Sequence, residues 1–209
     1  MTSFDTVRTG ILPVDEALRA TSRLPPLGAG HETVRRLELT ALVLAGSAAA
    51  LLTHLLRLRL GIPGSSIVFA ILPLALGFAL VPRRGAGAVM SGAALATTAV
   101  LGVAGVRLDG IGAVTSLTVA GPLLDLAWRW GQAGGWRLYR SFVLAGAASN
   151  AAAFVVRAAA KALELPGGSV GGSFHAWWPR AIATYAAAGL IAGLVAAAAW
   201  FRLRAGARQ

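Results

Sequence analysis

Six mainly apolar stretches, each about 17 residues or longer, run through this chain, and arginine, proline or glycine marks their ends. A helix of that length crosses roughly 30 Å of hydrocarbon. It also satisfies its own backbone N–H and C=O groups, which lipid cannot do. The stretches cover Leu37–Leu56, Ser65–Val81, Gly85–Val106, Ile111–Trp128, Ser141–Leu163 and Pro179–Phe201. The expected fold is therefore all-α: a polytopic membrane protein, a six-transmembrane-helix bundle. Residues 1–36 are expected to form an N-terminal tail with a short amphipathic helix around 14–24. Residues 37–204 form the transmembrane domain and 205–209 a C-terminal tail. Within the spans, Pro73 is expected to kink the second, and Gly121-Pro122 to break the fourth near its end.

Charge supports this reading. Asp, Glu, Lys and Arg make up 13% of the chain, against about 25% in a soluble domain, so there is too little polar surface to cover a water-exposed particle. The net charge of +11 would suggest nucleic acid in a soluble protein. Here the arginines lie at span ends, where they meet headgroups and set orientation, and no basic cluster is interleaved with aromatics on a polar surface. No nucleic-acid partner is expected; the lipid bilayer is. Counted over alternating connections, thirteen Lys and Arg fall on one side and six on the other. The richer side is expected to be cytoplasmic, with both termini. Cysteine is absent, which excludes disulfides and thiolate metal sites. Residues 1–30 have no apolar core of the kind a cleaved signal peptide carries.

Small residues recur every fourth position: Ala41, Ala45 and Ala49 in the first span; Ala88, Gly92 and Ala96 in the third; Gly189 and Gly193 in the sixth. Such stripes let helix backbones approach closely, within one bundle or against a separate subunit. Polar groups in the spans are costly unless paired or hydrated. His54, Asn150, Arg157 and Tyr185 fall in the half of the bundle away from the tails, beside His175, Trp177, Trp178 and the glycine-rich loop 166–173. Each has an ordinary role in helix packing, headgroup contact or an aromatic belt. Their gathering toward one side points to a binding pocket. Asp125 is expected to pair with Arg129 or Arg140. No Gly-x-Ser-x-Gly elbow, His-Glu-x-x-His motif, phosphate-binding loop or intramembrane carboxylate pair occurs, so neither catalysis nor a cofactor is expected. The three histidines lack ligand spacing, and no metal site is expected.

Ala41-x-x-x-Ala45-x-x-x-Ala49 and Gly121-Pro122-Leu123-Leu124-Asp125-Leu126, set in six short alanine- and glycine-rich spans, resemble the substrate-binding S component of energy-coupling factor (ECF) transporters. The resemblance spans about Leu37–Arg204. It implies a small micronutrient bound near the outer face under mobile loops, and docking of a transmembrane coupling subunit on Ala41, Ala45 and Ala49, with ATPases beyond it. It places substrate among His54, Asn150, Arg157, His175, Trp177, Trp178 and Tyr185. Met1 is followed by Thr2, not by the histidine of the cobalt and nickel members, which favours an organic substrate over a metal. The alternative is a non-catalytic accessory subunit of a larger membrane complex. A stand-alone facilitator would carry an internal repeat, and residues 37–106 and 111–201 show none.

Overall fold

The computed structural model describes residues 31–55, 66–106, 110–131, 136–163 and 174–205. They form six helices: α1 (His31–Leu55), α2 (Ser66–Leu80), α3 (Ala86–Val103), α4 (Ile111–Trp130), α5 (Trp136–Ala162) and α6 (Phe174–Ala205). All but α2 are long and apolar enough to cross a membrane. At 1.5 Å per residue, α2 rises only about 22 Å. It is shielded by its neighbours instead: Ile67, Ala70, Ile71, Leu74, Ala75 and Phe78 are buried, while Leu72 and Leu76 face outward.

The helices close into a ring in the order α1, α3, α4, α5, α6, α2, and α2 also leans inward to touch α4. Close contacts give their directions. Gly46 lies against Met90 and His54 against Thr98, so α1 and α3 run parallel. Gly87 meets Gly121 while Ser91 reaches Leu117, so α3 and α4 are antiparallel. Ser149 bonds Ser116 and Gly131 packs on Leu138, which makes α4 and α5 antiparallel. Gly146 meets Gly189 and Phe142 meets Gly193 across α5 and α6. Successive helices therefore alternate in direction. The start of α1, the α2–α3 turn and the finish of α6 share one end, here the tail end. The finishes of α1, α3 and α5 and the starts of α4 and α6 share the far end.

Glycine permits these crossings. A Cβ on Gly46 would overlap the Met90 carbonyl, and Cβ atoms on Gly87 and Gly121 would each overlap the other's carbonyl. Between helices in lipid, such close approach supplies the dispersion that water-driven burial supplies elsewhere.

Several boundaries differ from expectation. α1 begins at His31 and not Leu37, and α5 begins at Trp136 and not Ser141. Gly121-Pro122 does not end α4, which continues to Trp130. Pro122 lies on the exposed face, while the Gly121 N–H donates to Ser91 Oγ at 3.0 Å. α6 begins at Phe174, so His175, Trp177 and Trp178 lie inside its first turns rather than before the span. Pro179 lies inside α6 as its sixth residue, and the helix runs through it without the N–H that would bond the His175 carbonyl. The expected tail helix at 14–24, the loop 166–173 and residues 206–209 lie outside the described residues.

Candidate functional site

At the far end, α5 and α6 bring together the polar and aromatic groups. Phe154, Arg157 and Lys161 are three and four residues apart and so share one face of α5. Trp177, Ala181 and Tyr185 share one face of α6 by the same spacing. These faces meet. Phe154 stacks on Trp177 with centroids 5.9 Å apart and planes 14° apart. It also meets Tyr185 edge-on at 5.6 Å and 64°. Ala153, Ala181 and Tyr185 form a small buried cluster here, with Phe154 and Trp177 packed against it.

Two cations lie on the same aromatic wall. Arg157 Cζ is 6.0 Å and Lys161 Nζ 5.4 Å from the Trp177 ring centroid, within the range of cation–π attraction. Arg157 Nη1 also donates to the Tyr185 hydroxyl at 3.3 Å. A side chain on Gly112, near the start of α4, would come within 3.1 Å of that hydroxyl, so glycine is what lets α4 pass close to it. One turn deeper, buried Asn150 donates from Nδ2 to the Tyr185 carbonyl at 2.7 Å, and its neighbour Ser149 bonds the Ser116 carbonyl of α4 at 3.2 Å.

Four of the expected site residues, Asn150, Arg157, Trp177 and Tyr185, thus converge on the α5–α6 contact. His54 does not join them. It is buried between α1 and α3, with Nε2 3.1 Å from Thr98 Oγ1. Thr98 Oγ1 also lies 2.9 Å from the Ala94 carbonyl. Trp178 is turned outward and 40% exposed, as in an interfacial belt. His175 belongs to the first turn of α6, and its side chain lies outside the described residues. Phe154, Lys161 and Gly112 were not expected in the site. Phe154 and Lys161 could have been found by extending the Arg157 face by one turn each way.

The alanine stripe of α1 serves the bundle itself. Ala49 is fully buried, and Ala41 and Ala45 pack against the core. Ala45 faces Gly77 of α2, where any added Cβ would come within 2.7 Å of it. The α3 stripe is the outward one: Ala88, Gly92 and Ala96 are exposed, and a Cβ on Gly92 would meet no described atom within 4 Å.

The tail end is held by two carboxylates from flanking helices. Glu38 of α1, 3% exposed, pairs through Oε2 with Arg83 Nη1 at 3.0 Å, while its Oε1 is buried without a hydrogen bond. Asp125 of α4 does not pair with Arg129 or Arg140. It accepts the N–H groups of Gly87 and Ala88 at 3.2 and 3.0 Å, capping α3, whose own N-cap residue is Gly85 and has no side chain to offer.

No group of three or more His, Asp or Glu side chains that could hold a metal ion occurs among the described residues. The far-end arrangement gathers a buried phenol, an indole stacked on Phe154 and two partly exposed cations at one end of one helix pair. No family model, curated protein or solved structure matches the chain.

Proposed function

We propose that this protein is a membrane-embedded binding subunit of the ECF S-component class, taking up a small organic micronutrient at the far end of α5 and α6. It lies in the cell (inner) membrane with both chain ends cytoplasmic, so the site opens outward. The reading rests on one observation: Phe154, Arg157, Lys161, Trp177 and Tyr185 converge at one end of one helix pair. Aromatic faces supply area at low entropic cost, and Arg157 supplies directional donors. The subunit contributes affinity and no chemistry. A transmembrane coupling subunit and ATPases supply the energy. Mass spectrometry of a small molecule co-purified with the full chain, followed by binding to Trp177→Ala and Tyr185→Ala variants, tests this. The expected result is a defined compound bound at least tenfold more weakly by both variants. Unchanged affinity in both removes the site.

A second reading, an accessory subunit without a ligand, is favoured by Gly92. The crossing glycines 46, 87, 121, 146, 189 and 193 each face another helix closely. Gly92 lies in the interior of α3 and faces outward, a position where glycine costs about 1 kcal/mol in helix propensity. A partner helix on Ala88, Gly92 and Ala96 would offset that cost.

A further inference from the structure

We infer that α4 carries a hinge at Leu117–Pro122, pivoted on the Ser91 hydroxyl of α3, about which its far half swings independently of its tail half. In an unbroken α-helix the Gly121 N–H donates to the Leu117 carbonyl, and residue 122 donates to that of Thr118. Here both ends of the first rung bond the buried Ser91. Its Oγ donates to the Leu117 carbonyl at 2.7 Å and accepts the Gly121 N–H at 3.0 Å. The second rung is missing, because Pro122 has no N–H. A side chain set into the ladder and a proline are separate causes of helix bending, and they fall on successive rungs. Lipid offers the freed groups no hydrogen bonds, so a serine from a neighbouring helix takes that part. The hydroxyls of Thr115, Ser116 and Thr118 also bond carbonyls three or four residues back, a contact that itself bends helices.

The two halves are held by different neighbours. In the tail half, Asp125 accepts the N–H groups of Gly87 and Ala88 at the start of α3. Trp128 meets Phe78 of α2 with ring centroids 6.3 Å apart, and Gly131 packs on Leu138. In the far half, the Ser116 carbonyl accepts from Ser149 of α5, and Gly112 passes close to the Tyr185 hydroxyl and the Ala153 carbonyl. The tail half therefore moves with α2, α3 and the start of α5, and the far half with the α5–α6 contact. At the pivot, Gly87 and Gly121 bring the two backbones together with no side chain between them. The hinge does not depend on the function proposed above.

The chain has no cysteine, so paired cysteine variants of the full chain can be spin-labelled and read by double electron–electron resonance in lipid nanodiscs. Leu51→Cys/Ile111→Cys spans the far end from α1 to α4, and Leu39→Cys/Trp130→Cys spans the tail end. All four positions are exposed. A swing of about 20° at Leu117 displaces Ile111, about 9 Å away along the helix, by roughly 3 Å. The expected far-end distance distribution is broader than the tail-end one by about that amount. Ser91→Ala lets the Gly121 N–H and the Leu117 carbonyl bond each other, and Pro122→Ala restores the next rung. Each should narrow the far-end distribution, and both together should bring it to the tail-end width, which none of them changes. Pro122 is exposed, so Pro122→Ala keeps the comparison open if Ser91→Ala does not fold. Narrowing in Pro122→Ala but not in a folded Ser91→Ala overturns Ser91 as the pivot. Equal widths at the two ends, or a far-end width unchanged in the double variant, overturn the hinge.

Discussion

The side-chain amide of Asn150 donates to the backbone carbonyl of Tyr185 at 2.7 Å, joining α5 to α6 one turn below the aromatic and cationic cluster. The bond fixes the register that sets Phe154 against Trp177 and Arg157 against the Tyr185 hydroxyl. Asn150→Ala should lower stability by about 1 kcal/mol, the usual scale for a polar contact between helices in a bilayer. It should also weaken any ligand of the far-end cluster. Equilibrium unfolding in mixed detergent and a binding titration on one variant check both effects.

Gly46 and Gly92 differ in what they face, and substitution should separate them. Gly46→Leu places a side chain on the Met90 carbonyl of α3 and should cost about 3 kcal/mol or more, since backbone cannot move aside cheaply. Gly92→Leu points away from every described atom within 4 Å and should leave the isolated bundle as stable or slightly more so. Loss of a co-purifying membrane partner in Gly92→Leu alone, at unchanged thermal stability, would favour the accessory reading.

The Glu38–Arg83 pair joins α1 to the α2–α3 turn with one member buried and the other 40% exposed. Arg83→Met strands a buried carboxylate and should cost roughly 2 kcal/mol, less than a fully buried pair because solvent screens the arginine. Glu38→Leu/Arg83→Met should recover most of that loss, since no charge is then left buried. A double-mutant cycle in unfolding free energy measures the coupling.

Asp125 caps a helix it does not belong to. Asp125→Ala should remove about 1 kcal/mol and speed amide exchange at Gly87 and Ala88. Asp125→Asn keeps one acceptor oxygen and should lose less. Protection unchanged in both would show that the cap contributes nothing.

The absence of cysteine makes topology directly testable. Single cysteines at Arg84, exposed at the tail end, and at Leu163, exposed at the far end, should label from opposite sides of intact cells. Leu163→Cys should react with an impermeant reagent and Arg84→Cys only after permeabilisation. The reverse pattern would invert the bundle and close the proposed site to the outside.

Among the described residues, the number and type of helices were legible in the sequence because lipid imposes one solution on a long apolar segment. α2 to α4 lie within a few residues of their expected bounds. The starts of α5 and α6 were less legible. Charge at Arg137 and Arg140 and the ring of Pro179 read as span boundaries, yet α5 begins one turn before Arg140 and α6 runs through Pro179.

Composition and apolar block length alone determined an all-helical chain suited to a bilayer, since every backbone polar group must be satisfied within its own segment. The linear order of residues carried no record of which small-residue stripe faces inward. A stripe on α1 and one on α3 look alike, and only helix rotation in the closed ring buried Ala49 and left Gly92 outside. The same rotation sent His54 to Thr98 and brought Phe154 and Lys161 to Trp177. A position's depth follows from counting along one helix, but its neighbours depend on the azimuth at which two helices meet.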